Sequence, residues 1–77
     1  MKELLLYLAR NLVDQPEAVT VEELPGEVET YALHVAPEDM GKVIGRQGRI
    51  AREIRTICKS VAQREGKKVM IEIVDSE

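Results

Sequence analysis

The 77-residue sequence is poor in aromatic side chains and in cysteine. It contains no phenylalanine or tryptophan, and its two tyrosines are Tyr7 and Tyr31. Because Cys58 is the only cysteine, no intramolecular disulfide can strengthen a chain that lies close to the lower size limit for unaided folding. A single free thiol without a secretory signal pattern predicts a reducing, cytoplasmic setting.

Membrane and catalytic signatures are also missing from the sequence. The longest apolar run, Leu4 to Ala9, is far shorter than the roughly 20 residues that span a bilayer. His34 is the only histidine and has no neighbouring cysteine or second histidine to form a metal site. Neither a P-loop nor a G-x-G-x-x-G pattern occurs. We therefore expect no enzyme, cofactor, metal, membrane contact or small-molecule substrate.

The charge is distributed very unevenly along the chain. Nine of the eleven Lys and Arg residues lie between Lys42 and Lys68, where two acidic residues oppose them and leave a local charge of +7. The remainder carries −10, which gives the overall −3. A basic segment inside an acidic protein indicates a local site for an anion. A solvated helix surface rich in Lys and Arg is the simpler interpretation of the same segment.

Hydrophobic periodicity and end signals predict six elements in a single domain over residues 1–77. Pro16 is expected to end the first helix, Pro25-Gly26 to form a type II turn, and Gly66 to cap the long helix. A right-handed crossover places the last strand parallel to the second. The result is an α+β fold, a three-stranded mixed sheet covered on one face by three helices. Its helices are predicted over 2–14, 37–44 and 48–64, and its strands over 18–24, 29–36 and 67–74.

The long helix has two opposite faces. At about 100° per residue, its apolar arc and its cationic arc lie on opposite sides. Burial of the apolar arc against the sheet therefore exposes a cationic ridge, and it makes Cys58 a buried, unreactive thiol. The apolar arc is formed by Ile50, Ala51, Ile54, Ile57, Cys58 and Val61, and the ridge by Arg49, Arg52, Arg55 and Lys59.

The first helix carries more aliphatic residues than one buried face requires. Leu6 and Val13 lie away from the face that is formed by Leu4, Leu5, Leu8 and Leu12. One interpretation is an apolar surface for self-association, which small domains often use to gain stability. The other is that these are ordinary scattered surface aliphatics.

The segment "VIGRQGRI", residues 43 to 50, places a cationic glycine-flanked loop between two helices. Gly45 and Gly48 remove side chains where a ligand backbone must approach closely. The helix that begins at Gly48 offers free N–H groups and a partial positive charge, and nearby cations add full charges. These features together predict a phosphate-backbone site, whereas a lone G-x-x-G would more simply be a helical corner.

The stretch "GKVIGRQGRIAREIR" resembles the core of a KH domain, in which a G-x-x-G loop between two helices holds about four nucleotides. The element order matches the type II version. With "APEDMGKVIGRQGR", the chain looks like the small bacterial single-KH proteins of the KhpA (YlqC) family. The resemblance implies a cytoplasmic RNA-binding protein, an RNA chaperone or post-transcriptional regulator, that forms a homodimer or pairs with another KH-containing protein.

Residues of the motif can be transferred to this sequence position by position. The loop residues 45–48 would hold the sugar-phosphate backbone of single-stranded RNA, and neighbouring aliphatic residues would line the base-facing groove. Because aromatic residues are scarce, we expect weak sequence preference. The alternative is a protein-interaction or dimerisation module whose RNA binding is secondary. The candidate RNA-binding residues are Lys42, Val43, Ile44, Gly45, Arg46, Gln47, Gly48, Arg49, Ile50 and Arg52.

Overall fold

The computed structural model describes residues 1–75 of the chain. Its element order is helix, strand, strand, helix, helix, strand, which confirms the predicted order. Short 3₁₀ turns precede β1, α2 and α3 over Pro16–Ala18, Pro37–Asp39 and Arg46–Gly48. The principal elements are α1 (Lys2–Arg10), β1 (Thr20–Leu24), β2 (Glu29–Val35), α2 (Met40–Ile44), α3 (Arg49–Arg64) and β3 (Val69–Asp75).

The three strands form one mixed sheet in the order β1-β2-β3. β1 and β2 are antiparallel, with Val21 opposite Leu33. β2 and β3 are parallel, with Leu33 opposite Ile73. The predicted fold class is therefore confirmed, including the parallel pairing that the α2–α3 crossover requires.

The core lies between the sheet and the helices. The alternating residues Tyr31, Leu33 and Val35 of β2 are buried, as the period of two predicts, but Ala32 between them is buried as well. Cys58 of α3 is fully buried among them, and burial raises the pKa of its thiol, so it remains protonated. Ile57 was predicted to be buried on the same helix, but it is 40% exposed because it lies at the margin of the buried arc.

The first helix ends at Arg10 rather than at Asp14, so it is shorter than predicted. The Asn11 side-chain amide donates a hydrogen bond to the Tyr7 carbonyl at 2.7 Å. The backbone N–H groups of Asp14 and Gln15 instead donate to the carboxylate of Asp39, at 3.2 and 3.0 Å. A buried carboxylate from a distant segment therefore binds the two N–H groups just before Pro16 and competes with continuation of the helix.

The apolar residues of α1 are distributed differently from the prediction. Leu6 and Val13 are partly buried and pack against the core, so they are not the surplus surface. Leu12 is 37% exposed because the helix ends before it, and Tyr7 is 66% exposed. The exposed apolar surface of this region is therefore formed by Tyr7 and Leu12.

The connections at two other element ends can also be compared with their predictions. Gly26 has φ 157° rather than the value near +80° that a type II turn requires, so the predicted turn type is wrong. At the end of α3 the N–H of Gly66 donates to Gln63 and that of Lys67 to Ala62, which is a Schellman cap and confirms the role of Gly66. Within residues 1–75, no helix is long and apolar enough to cross a membrane.

Candidate nucleic-acid interface

The loop between α2 and α3 is a tight 3₁₀ turn that begins at Gly45. The N–H of Gly45 donates to the Gly41 carbonyl at 2.9 Å and so closes α2. Gly45 has φ 77° and ψ 175°, a backbone conformation that is nearly restricted to glycine. A Cβ atom at this position would lie 2.6 Å from Cγ1 of Ile50. Gly45 is thus required by the internal packing of the corner as well as by its backbone conformation.

The next two positions with positive φ lie at the tip of the loop. Gln47 has φ 58° and ψ 25°, and it is the one non-glycine residue with positive φ in the described chain. Gly48 has φ 73°, and no atom would lie within 4 Å of a Cβ added there. In contrast to Gly45, Gly48 therefore leaves open space at the loop surface, as expected where a ligand backbone approaches.

The start of α3 offers fewer free amides than the sequence suggested. The Gly48 N–H donates to the Gly45 carbonyl at 3.1 Å, and the Arg49 N–H donates to the Arg46 carbonyl. The prediction that the helix end at Gly48 provides free N–H groups is thus wrong for these two residues. Consequently, side-chain cations carry more of the attraction for an anion at this corner.

Three arginines provide exposed positive charge at the loop and along the first turn of α3. Arg46, Arg49 and Arg52 are all exposed. On an α-helix, residues three positions apart are neighbours on one face, so Arg49 and Arg52 extend from the loop along the same side of α3. The cationic surface predicted for this region is present.

Lys42 is positioned differently from these arginines. Its ammonium lies 2.8 Å from an Asp14 carboxylate oxygen and 3.5 Å from one of Asp39. The hydrogen bond to Asp14 is the main reason why the pKa of Lys42 is raised. Lys42 therefore neutralises the carboxylates of Asp14 and Asp39. The prediction that Lys42 adds a free positive charge around the loop is wrong.

The aliphatic candidates beside the loop divide into core and surface. Val43 is fully buried, so it cannot line a groove for bases. Ile44 and Ile50 are half-buried and pack against the core, which leaves part of each side chain accessible.

Arg55 is a candidate that the site prediction did not include. Its Nε–H donates a hydrogen bond to the Ile71 carbonyl at 3.2 Å, so this half-buried side chain connects α3 with β3. The periodic cationic ridge indicated its exposure but gave no sign of this contact. Arg55 therefore lies on the side of α3 that faces β3.

Similarity to known proteins shows the family of this chain. The family model described as KhpA/KhpB, KH domain matches residues 2–73. The chain belongs to the KhpA/KhpB KH-domain family. Family members named RNA-binding protein KhpA include one from Clostridium perfringens, 56% identical over 96% of this chain and 100% of its own. Another, from Treponema pallidum, is 49% identical over 96% of this chain and 94% of its own.

The fold of this KhpA/KhpB-family chain also occurs inside a larger solved protein. A crystal structure of Aquifex aeolicus Era bound to GDP and aluminium fluoride superimposes with a TM-score of 0.61 over 96% of this chain. The match covers 29% of the Era chain at 22% sequence identity, so it shows a shared fold alone. The G-x-x-G loop of this chain is the corner between α2 and α3 described above.

Proposed function

We propose that this chain is a single KH domain over residues 1–77 that binds single-stranded RNA in the cytoplasm by holding its backbone at the loop Gly45–Gly48. The observation that carries the proposal is the exposed Arg46 within a glycine-flanked corner, beside the open surface at Gly48. Family members about half identical to this chain are named RNA-binding proteins. No enzymatic role is proposed.

The loop and the first turn of α3 have different roles in binding. Arg46, Arg49 and Arg52 attract phosphates, while the open space at Gly48 allows the backbone to come close. The accessible part of Ile44 offers apolar contact for bases, whereas Ile50 lines the groove between α1 and α3. Because this surface has no aromatic platform, hydrogen-bond readout and stacking are limited, and sequence preference is weak. A protein that binds the RNA backbone with weak sequence preference is suited to act as an RNA chaperone or a post-transcriptional regulator.

The test is the double variant Arg46→Asp with Gln47→Asp. Two carboxylates in this loop repel phosphate, and Asp is among the residues that tolerate the left-handed conformation at position 47. Fluorescence anisotropy with a labelled tetrauridylate should show RNA binding lost in the variant. Arg64→Asp, which changes an exposed cation at the other end of α3, is the control and should bind almost as the parent does.

Salt dependence gives a second readout of the same proposal. For tetrauridylate, which is short enough to contact the loop site alone, three arginine–phosphate contacts predict a slope of log affinity against log salt of about −2, at roughly −0.7 per contact on a single strand. A parent affinity that stays constant with salt, or a double variant that binds as the parent does, would remove the loop from the mechanism.

We propose self-association as a second function, through an apolar groove between α1 and α3 whose occupant is a second copy of this chain. The groove has a volume of about 400 Å³ and includes Tyr7, Leu12 and Ile57. Glu53 is the one charged residue that lines it, so its surface suits a similarly apolar face. The small core and the resemblance to a family that pairs support this occupant. Pairing with another KH-containing protein would use the same groove.

A further inference from the structure

A second cavity lies at the end of α3 that is remote from the loop. It has a volume of about 490 Å³ and is open to solvent between the last turns of α3 and the start of β3. Val28, Val69 and Met70 provide apolar lining, and Lys59, Lys67 and Lys68 provide positive charge. None of these residues belongs to the loop site proposed above.

The lysines of this distal cavity retain most of their charge for a ligand. Lys67 has a weak ion pair with Glu29, at 3.9 Å. Within residues 1–75, neither Lys59 nor Lys68 has a carboxylate within ion-pair distance. All three lysines are exposed, so their ammonium groups can reach a phosphate at the rim of the cavity.

The apolar lining provides a surface for the flat, weakly polar face of a base. Met70 is 53% exposed on β3, and its flexible, polarizable thioether adapts to different shapes. An apolar floor with a few charged groups at its rim is typical of small binding sites. Bases against apolar groups and phosphates against cations are the two contacts that single-strand binding combines.

The cationic ridge of α3 connects this cavity with the loop. Arg49, Arg52 and Lys59 lie on the same side of the helix, and the ten residue steps from Arg49 to Lys59 rise about 15 Å. Arg55 is held between them by its hydrogen bond to the Ile71 carbonyl of β3. Positive charge therefore continues from the loop to the cavity along the α3–β3 side of the molecule.

We propose that the distal cavity is a second RNA subsite, which takes a nucleotide of the same strand that the loop holds. The lysines contact the phosphates on its 5′ and 3′ sides, and the exposed Met70 contacts its base. This inference rests on the proposed function, because the loop is what brings the strand to the α3–β3 side. It predicts that the RNA footprint is longer than the segment clamped at the loop.

The first test compares tetrauridylate with decauridylate. Lys59→Gln with Lys68→Gln should leave tetrauridylate affinity unchanged and weaken decauridylate. Two lost phosphate contacts reduce the salt slope by about 1.4, so between about 50 and 200 mM salt the parent loses roughly sevenfold more decauridylate affinity than the variant. The charge-matched control Arg64→Gln with Lys2→Gln removes two exposed cations outside the cavity and should keep the parent slope.

Methionine methyl NMR gives a readout that does not depend on charge. The three methionines are Met1, Met40 and Met70. On addition of decauridylate the Met70 methyl signal should shift, tetrauridylate should leave it in place, and Met1 should remain unchanged with both. A Met70 signal that decauridylate leaves unchanged, or a double-lysine variant with the parent's decauridylate slope, would overturn the distal subsite.

The loop variant separates this inference from the function on which it rests. If Arg46→Asp with Gln47→Asp still binds tetrauridylate as the parent does, the proposed loop function fails, and the inference fails with it. If the loop variant loses tetrauridylate while the double-lysine variant binds both RNAs as the parent does, only the distal subsite fails.

Discussion

The Asp39 carboxylate accepts a hydrogen bond from the Gln15 backbone N–H at 3.0 Å, across 24 positions of sequence. With the second donation from Asp14, this contact fixes the chain after α1 to the segment that begins α2. Burial alone would raise the pKa of Asp39, but the two N–H donors and the Lys42 ammonium outweigh it and lower the pKa. The ionised carboxylate therefore stabilises the fold.

We expect Asp39→Asn to destabilise the protein, because one amide oxygen replaces two charged acceptors. The melting temperature should fall by roughly 5–10 °C at neutral pH. Since the folded pKa of Asp39 is depressed, its contribution is present above the ordinary value of 3.8 and is lost as pH falls through the lower folded pKa. Thermal melts of parent and variant should accordingly converge in strong acid, and equal melting temperatures at pH 7 would contradict this role.

Gly45→Ala should destabilise the protein by about 2–4 kcal/mol, because a Cβ meets Ile50 and the backbone conformation excludes other residues. Gly48→Ala is the matched control. It has room for a Cβ and should cost only about 1–2 kcal/mol for its left-handed conformation. Urea denaturation of both variants measures the difference. Equal losses would show that contact with Ile50 contributes nothing.

Gln47 is held in a left-handed conformation that glycine adopts without cost. We expect Gln47→Gly to stabilise the fold by about 0.5 kcal/mol, since relief of that strain exceeds the added chain entropy. Gln47→Val should instead destabilise it by about 1 kcal/mol, because β-branched residues tolerate positive φ poorly. The two variants are compared by urea denaturation. Stabilities in the opposite order would refute strain at the loop tip.

Ile57→Lys should prevent self-association through the α1–α3 groove while the fold persists, because Ile57 is 40% exposed. Sedimentation equilibrium at tens of micromolar measures the assembly, and a thermal melt of the dissociated species checks the fold. Thr56→Lys introduces the same side chain at an exposed neighbouring position outside the groove lining and serves as control. A monomeric parent would reject pairing of this chain with itself.

Features with a local cause were predictable from the sequence, and contacts between distant segments were not. The period of α3, the alternation of β2 and the cap at Gly66 depend on neighbouring residues. The cap is confirmed, and the two patterns are confirmed apart from the exposed Ile57 in α3 and the buried Ala32 in β2. The end of α1 depends on Asp39, and the charge of Lys42 is taken up by Asp14, 28 positions away. No periodic signal in the sequence reports such pairings.

The same limit applied to the candidate site. Its loop could be located because glycines and cations occur at a recognisable spacing. Which groups are accessible at the loop depended on packing, which buries Val43 and engages the amides of Gly48 and Arg49 inside the turn. The hydrogen bond from Arg55 to Ile71 could not be predicted, because the sequence pattern does not show that β3 lies beside this side chain.

The contact between Arg55 and the Ile71 carbonyl also protects an edge of the sheet. β3 is a terminal strand, and exposed backbone groups at such an edge are templates for pairing with a strand of another molecule. The guanidinium occupies one of these acceptors and places a charge beside it, which discourages edge-to-edge aggregation. Replacement of Arg55 is therefore expected to lower solubility.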